Sequence, residues 1–512
     1  MFVRENKKSL KTSCWLDKIT KGSREFPVID TIILIYEAVV LFFQILFQIS
    51  PVMTFLAKTP LYDIQTYLGL LGGMLIVLDL FTTKKIWRGK FCLLLYAILG
   101  LAAVASIRMI SYGLKENIFK LCWAAIQFVL VYSCAYRADR NKLKKYLKWL
   151  FSGLLQIWVV ACCVSVYQYV NQIGYMYVVN PLAKDSSATR QGFYDNRLFG
   201  IFYTLNHAAI ISTIFFMIAL VWLLQTKKRV SKILLMLAAV PLLCYIILSN
   251  SRSAALILLV CMACLVWFLV RNKISKEGFT KTVVPIVCAV LALGCCVVAY
   301  CGLRTGLTRI LYLNAKFEAY QEQKEEESAA EAPIIEYDED VLNRKHLEND
   351  YSNGRFAIWK DYAALYREIG PIGMSPGNYM GYILENHPEL YIVEYIRQHY
   401  PDKYESGIIY HVHSGYVMVY VSTGWVGAAC LLTFIALCLV ALFRKVYKTP
   451  VLSKWFIGTF LVVAIVAISA VFDEGIFFQN NPQTTAFWLC LGILMKECGQ
   501  HCEKKQKILK VM

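Results

Sequence analysis

Residues 410–443 read YHVHSGYVMVYVSTGWVGAACLLTFIALCLVALF, and they join a polar segment directly to an apolar one. His411 and His413 need water or polar partners, whereas residues 414–443 contain no charged side chain. An uncharged apolar run of this length can cross the hydrocarbon core of a bilayer as a helix. The boundary therefore predicts that both histidines lie where a membrane span meets an aqueous surface.

Similar apolar runs recur along the whole chain. Of its 512 residues, 58% are hydrophobic and 17% are charged, and the mean hydropathy is +0.50. A soluble protein does not hide so many uninterrupted runs, so the sequence predicts an all-α, polytopic transmembrane helical bundle. The twelve predicted spans are residues 28–50, 62–82, 91–110, 117–136, 149–171, 199–223, 233–250, 253–270, 282–301, 414–443, 455–472 and 483–497.

The positions of Lys and Arg orient these spans. Basic residues concentrate at the N-terminus and in alternate loops, and the short loops between them hold few. This pattern also explains the net charge of +18 by contact with anionic lipid, without nucleic acid. The predicted order is a cytoplasmic basic N-terminus (1–27), spans one to nine (28–300), an extracytoplasmic loop (301–413), spans ten to twelve (414–497) and a cytoplasmic tail (498–512).

The large loop has two parts of different composition. Residues 321–340, QEQKEEESAAEAPIIEYDED, are acidic and of low complexity, which predicts a mobile tether. Residues 353–413 instead predict helical structure. Aromatic residues recur at helical spacing in 356–368, and Ser375-Pro376 predicts the start of a second helix with proline in its first turn.

No metal site is predicted. The eighteen cysteines are scattered, mostly inside spans, and Cys261 and Cys264 are interpreted as packing residues of an apolar helix. Asp338-Glu339-Asp340 matches an Asp-x-Asp motif of metal-dependent sugar transferases, but such a match is expected by chance inside an acidic run. His411 and His413 lack a nearby third ligand in the sequence.

Several polar residues fall on the outer side by topology alone. Arg252 lies in the short connection Asn250–Ser253 between two apolar helices, where an arginine costs about 2–3 kcal/mol near the hydrocarbon. It needs a carboxylate partner, an anionic ligand or lipid phosphates. Asn206-His207 and Asp473-Glu474 lie on the same side, beside the sixth and eleventh spans.

Three motifs together resemble the O-antigen ligase and O-antigen polymerase family. They are SRSAALILLV (251–260) after a span, GRFAIWKDYAALYREIGPIGMSPGNY (354–379) in the large loop, and HVHSGYVMVYVSTGWVG (411–427) entering the next span. Residues 190–207 resemble the upstream motif of that family. The sequence departs from the family in its acidic insertion, and in Asp195-Asn196-Arg197 where an Asn-Pro-Asn turn is common.

The resemblance implies a glycosyltransferase on the outer face of the cytoplasmic (inner) membrane of a bacterium. The donor would be a glycan on a polyprenyl pyrophosphate, usually undecaprenyl, and the acceptor a glycan or a lipid-linked unit. It implies no metal and no cofactor, and it suggests a flippase and a chain-length regulator as partners. The motifs leave open whether the chain is a polymerase or a ligase.

The resemblance and residue chemistry together predict the site. Arginine binds phosphate oxygens through a charged fork, and histidine can take a proton from a sugar hydroxyl near neutral pH. His413 corresponds to the histidine that the family has at the entry to span ten. The predicted catalytic residues are His413 and Arg252, and the predicted pyrophosphate or glycan ligands are Arg190, Arg355, His411 and Glu474.

A second class, a transporter or a lipid-linked oligosaccharide flippase, also fits twelve spans. Carriers usually show two similar halves and ionisable residues at mid-span. The two halves here are unlike, and Glu37 is an exception among spans that are nearly free of charge at mid-depth. A receptor or scaffold would leave the outer arginines unexplained.

Overall fold

The structure is a computed structural model that describes residues 27–83, 89–178, 189–274, 279–325, 354–399, 401–405, 407 and 411–509. The predicted N-terminal segment, apart from its last residue, lies outside the described residues. So does the predicted tether from residue 326 onward, with the Asp-x-Asp motif.

The architecture is a helical bundle, as predicted. The membrane-region helices are α1 (Pro27–Leu46), α2 (Ser50–Ala57), α3 (Ile64–Thr83), α4 (Cys92–Arg108), α5 (Lys115–Ala125), α6 (Ser133–Arg137), α7 (Arg140–Val170), α8 (Leu205–Leu223), α9 (Arg229–Leu248), α10 (Arg252–Lys273) and α11 (Phe279–Glu325). The remaining helices are α12 (Arg355–Ala364), α13 (Tyr366–Ile369), α14 (Tyr379–Asn386), α15 (Tyr391–His399), α16 (Pro401–Glu405), α17 (Gly415–Lys448), α18 (Lys454–Ser469) and α19 (Pro482–Leu509).

Each of the twelve predicted spans contains helical structure, but residues 199–204 of the sixth predicted span are not helical, because α8 begins only at Leu205. In the described part of the chain, nine helical segments are long and apolar enough to cross a membrane by length and composition. Helices α4 and α18 are apolar but shorter. Helix α19 has a polar first turn, yet every residue from 481 to 495 is buried, so this helix runs through the centre of the bundle.

Aromatic rings and small residues pack around α19. The Trp488 ring is fully buried and contacts the Phe128 ring with centroids 4.8 Å apart. Gly492 lies against the Tyr132 carbonyl, and a Cβ built at this glycine would be 2.5 Å from that oxygen. Small residues permit such close backbone approach between membrane helices, where dispersion contacts drive association.

Helices α5 and α6 are joined by a π-helical segment, Ile126–Tyr132, all of whose residues are buried. The wider turn of a π segment changes which side chains face a neighbouring helix. Here the Gln127 side-chain amide donates to the Gln479 carbonyl at 2.6 Å, in the loop before α19.

A small antiparallel sheet that the sequence did not predict lies between α7 and α8, with strand order β1 (Gly174–Tyr177), β2 (Thr189–Tyr194) and β3 (Arg197–Gly200). Asp195 and Asn196 connect the last two strands with φ of 49° and 57°. Two successive positive φ values form a type I′ hairpin turn, which Asp and Asn tolerate.

The large loop docks onto a break in α17. Gly424 has φ 70° and ψ −172° inside this helix, and the next amide, of Trp425, donates to the Gly370 carbonyl at 3.1 Å. The Met374 amide donates to the Val421 carbonyl at 2.7 Å. A Cβ at Gly424 would lie 2.3 Å from Pro371, so only glycine allows this contact.

Two sequence predictions for the loop need correction. Helix α11 continues to Glu325, because no proline interrupts residues 302–325 after the predicted span end at 301. Pro376 does not begin a helix, because α14 starts at Tyr379. The Asn378 side chain donates to the Met109 and Gly113 carbonyls at 2.7 and 2.5 Å, and these tertiary bonds hold the preceding residues in a turn.

Candidate active site

A polar turn between α18 and α19 carries Asp473 and Glu474. Three glutamines from the membrane helices hold this turn. The Gln44 amide donates to Asn480 at 2.6 Å, Gln127 donates to the Gln479 carbonyl, and the Asn480 amide donates to Gln65 at 3.0 Å. Because buried polar groups require such partners, the turn has a defined position inside the bundle.

Asp473 is paired with a histidine from another span. Its Oδ2 lies 3.0 Å from Nε2 of His207, and its Oδ1 accepts the Glu474 amide at 2.8 Å. Burial raises the pKa of Asp473, but the charge and hydrogen bond of His207 and the Glu474 amide outweigh burial and lower the pKa to about 2. Asp473 therefore remains a carboxylate at any physiological pH.

Glu474 is buried and organises both histidines of the His-Val-His segment. Its Oε1 accepts the His413 amide at 3.3 Å, and its Oε2 lies 3.5 Å from Nδ1 of His411. The Gln479 amide donates to Oε2 at 2.8 Å, and the Tyr379 hydroxyl lies 3.2 Å from the same His411 nitrogen. This carboxylate thus links the α18–α19 turn to the end of the large loop.

His413 has a left-handed backbone conformation, with φ of 54°, immediately before α17. Two residues later, the Gly415 amide donates to the Ala470 and Asp473 carbonyls at 2.8 and 2.9 Å, which fixes the start of the helix. Burial is the main cause that lowers the pKa of His413 below 6.5. Arg355 and His411 act in the same direction, whereas Glu474 and Asp473 oppose them. The lowered pKa therefore favours the neutral imidazole of His413 at neutral pH.

Arg355 is the first residue of α12 and is half-buried. Burial lowers its pKa and Asp473 partly restores it, but an arginine keeps its charge at any relevant pH. Among the described residues, no carboxylate lies within 4.0 Å of its guanidinium nitrogens. The cation is therefore placed near His413 and Asp473 without a direct ion-pair partner, which is how an anion-binding side chain is arranged.

The turn that carries Arg252 is connected to the same cluster. Arg252 is exposed and begins α10, and the preceding Ser251 hydroxyl donates to Asn206 Oδ1 at 3.3 Å. Arg197 donates to the same oxygen at 3.3 Å. Asn206 is followed directly in the chain by His207, which pairs with Asp473. The Ser251–Asn206 hydrogen bond therefore links the turn that carries Arg252 to the His207–Asp473 pair.

Arg190 lies apart from these residues. On β2 its guanidinium is 2.7 Å from the Asp195 carboxylate and 5.4 Å from the Tyr194 ring centroid, so both contacts stay within its own hairpin. Its role as a pyrophosphate ligand remains a prediction.

The structure thus brings together His413, His411, Glu474 and Arg355, and it adds residues to which the sequence assigned no role. These are His207 and Asp473 as an ion pair, and Asn206 and Arg197 as a bridge. The sequence signal that could have indicated these roles is the presence of two adjacent polar pairs, Asn206-His207 and Asp473-Glu474, at the predicted outer ends of spans. Their sequence separation concealed that they meet.

The chemistry available here is acid–base and phosphate chemistry. The imidazole of His413, whose pKa is lowered, lies within electrostatic range of two carboxylates and of Arg355, which has no ion-pair partner in the described part of the chain. Over the described ranges, no group of three or more His, Cys, Asp or Glu could hold a metal ion.

These features describe a multi-pass membrane protein with a polar cluster, the candidate active site, at one end of a helical bundle. Residues 237–432 match the sequence model of the family described as O-antigen ligase. The match includes Arg252, Arg355, His411 and His413, and it confirms the resemblance carried by the motifs. No curated protein and no solved structure matches the chain. This match supports a role in joining or polymerising glycans at a membrane.

Proposed function

We propose that this protein transfers or polymerises glycan from a polyprenyl-pyrophosphate donor, of the undecaprenyl type, to an acceptor hydroxyl on the outer face of the cytoplasmic membrane. The observation that carries this proposal is that Arg355, which has no ion-pair partner among the described residues, lies near enough to His413 to help lower the pKa of that imidazole. The outer orientation follows from the distribution of Lys and Arg.

The reaction is a substitution at the anomeric carbon of the donor. The acceptor oxygen forms a bond to that carbon, the bond to the pyrophosphate oxygen breaks, and the leaving group keeps the electron pair. His413 takes the acceptor proton, and the resulting imidazolium is stabilised by the nearby Glu474 and Asp473 carboxylates. Arg355 and Arg252 bind the negative charge that develops on the pyrophosphate.

The other cluster members position these groups. Glu474 is only 5% exposed and its oxygens already accept bonds from His413 and Gln479, so it holds the His-Val-His segment in place. His411 is half-exposed, with a side chain 48% accessible, and is suited to contact a sugar hydroxyl. Partners in this scheme are the lipid-linked donor, a glycan or lipid-linked acceptor, a flippase and a chain-length regulator.

The test is reconstitution of the full chain in liposomes with a lipid-linked repeat unit, with the products separated by size. Arg252→Lys should lose activity nearly as completely as Arg252→Ala, since a point charge does not replace a bidentate fork. Arg397→Ala is the matched control, because Arg397 is exposed on α15 and pairs only with Glu394 at 3.8 Å. Full activity in Arg252→Ala would contradict a role for this arginine.

The same assay distinguishes the remaining alternatives. Longer chains on the carrier lipid indicate a polymerase, and transfer to a different acceptor indicates a ligase. Movement of the lipid-linked unit across the bilayer without any glycan transfer would indicate a transporter or flippase instead.

A further inference from the structure

A cavity of about 660 Å³ lies between α7, α8, α9 and α18. It is at the end of the bundle opposite the reaction site. Helix α8 begins beside His207 and reaches the cavity at Trp222, about 22 Å along its axis. Helix α18 likewise has its first residue, Lys454, at the cavity and its last residue just before the Asp473 turn.

The cavity wall has a polar rim and an apolar depth. Lys144, Lys148 and Lys454 line one end, together with Gln225 and Thr226. The walls beyond them are mostly aliphatic and aromatic, with Leu155, Val159, Leu235 and Val462 among the lining residues. An amphipathic surface of this kind suits a ligand that has a polar head and a hydrocarbon tail.

The rim carries positive charge that no carboxylate offsets. Within the described residues, none of the three lysines has an acidic side chain within 4.0 Å, and no Asp or Glu lines the cavity. The Lys144 ammonium lies 5.8 Å from the Trp455 ring centroid, and Lys454 donates to the Leu224 carbonyl. The buried Trp455 indole nitrogen has no hydrogen-bond partner in the described part of the chain.

The depth of the cavity matches one leaflet of a bilayer. From Lys454 to Val462 the axial rise along α18 is about 12 Å, and half of a hydrocarbon core is about 15 Å. A head group held by the lysines would therefore lie at the membrane surface, with its acyl chain inside the cavity. A much longer polyprenyl chain would not be contained in this space.

We propose that this cavity binds an anionic glycerophospholipid of the cytoplasmic leaflet, with the lipid phosphate on the three lysines and an acyl chain between α8 and α18. The assignment to the cytoplasmic leaflet rests on the proposed orientation of the chain, whereas the binding itself does not depend on the proposed reaction. Basic pockets between helices on the cytoplasmic side are suited to anionic lipid head groups. The bound lipid would fill the space between the two helices whose opposite ends carry His207 and Asp473.

The test is native mass spectrometry of the purified full chain in detergent, with added phosphatidylglycerol. Phosphatidylcholine, inorganic phosphate and undecaprenyl phosphate are added in separate arms. Wild-type protein should retain phosphatidylglycerol at least about tenfold more tightly than phosphatidylcholine, since two or more lysine contacts distinguish their net charge. Inorganic phosphate alone should not bind, because it leaves the apolar depth empty.

The variant Lys144→Ala/Lys148→Ala/Lys454→Ala should weaken phosphatidylglycerol binding by about fivefold for each lysine removed. Lys142→Ala/Lys145→Ala/Lys232→Ala is the matched control, because it removes the same charge from exposed lysines that do not line the cavity. A second variant, Gly458→Leu, fills the cavity beside Val221 and should exclude the acyl chain while the lysines remain.

Four outcomes would overturn the proposal. The first is that the wild-type protein retains phosphatidylglycerol and phosphatidylcholine equally, and the second is that the lysine variant and its control lose phosphatidylglycerol affinity equally. The third is saturable binding of inorganic phosphate alone. The fourth is tight binding of undecaprenyl phosphate by a protein that does not bind phosphatidylglycerol. The comparison of the two lipids on the wild-type protein needs no variant. It therefore tests the proposed lipid site even if a variant does not fold.

Discussion

Charged residues cluster at both ends of the bundle, and the two clusters are built differently. At the end away from the site, Arg137 lies 2.7 Å from the Asp30 carboxylate and 2.6 Å from that of Asp79, with side chains 5%, 29% and 0% exposed. At the site, Arg355 has no carboxylate at ion-pair distance among the described residues, and His413 is neutral.

The difference separates charges that hold helices together from charges that act on a ligand. A buried guanidinium between two carboxylates joins α1, α3 and α6, and removing one partner would leave a buried charge uncompensated. At the site, Arg355 has no ion-pair partner within the ranges that the structure describes, and the carboxylates of Asp473 and Glu474 contact histidines. A pyrophosphate can therefore supply the missing negative charge without first breaking an ion pair.

The largest expected effect is from His413→Ala. Loss of the proton acceptor should reduce glycan transfer by about 10²–10⁴-fold, while donor binding and folding are retained. Reconstituted enzyme measures the rate, and size-exclusion chromatography in detergent checks folding. His399→Ala is the matched control, because His399 is exposed on α15 and its Nδ1 contacts only the Tyr395 carbonyl among hydrogen-bonding atoms. If His413→Ala and His399→Ala lost glycan-transfer activity to a similar extent, the cluster around His413 would have no special role in the reaction.

The paired cluster should respond in stability rather than in chemistry. Arg137→Ala leaves Asp30 and Asp79 without their common partner, and breaking a buried ion pair costs about 3–5 kcal/mol. We expect a lower midpoint of thermal unfolding in detergent, with near-normal turnover per folded molecule. Near-normal stability together with lost turnover would show instead that this end of the bundle takes part in the reaction.

The smallest effect is expected from Arg190→Ala. Its ion pair with Asp195 is about half-exposed, and exposed pairs contribute about 0–1 kcal/mol. Stability should change little, and an effect on transfer beyond about tenfold would place the β2–β3 hairpin against the donor, as the sequence motif predicts. The donor concentration needed for half-maximal rate is the measurement that separates these outcomes.

The helices could be predicted from the sequence because each span is a long apolar run. The resemblance to the family could be recognised because its motifs occur in the expected order. The β strands were not predicted, since each is only four to six residues long and is stabilised by pairing with its neighbours rather than by its own composition. The start of α14 was misplaced because Asn378 is held by carbonyls of a distant helix.

For the site, the sequence placed His413 and Arg355 on one side of the membrane, and the structure places them within electrostatic reach of each other. The His207–Asp473 pair could not be derived, because no local pattern connects the start of α8 to the end of α18. Only the packing of α8 against α18 brings that carboxylate to that imidazole.

The coupling of Arg355 to His413 is the central claim, and a pH profile tests it most directly. In the proposed reaction the neutral imidazole is the active form, so transfer should fall as pH drops through the His413 pKa, which burial lowers from its usual value. Because Arg355 lowers that pKa, Arg355→Gln should move the acidic limb of kcat/KM to higher pH, whereas Arg397→Gln should leave it in place. An acidic limb that is absent, or that does not move in Arg355→Gln, would contradict the proposed site.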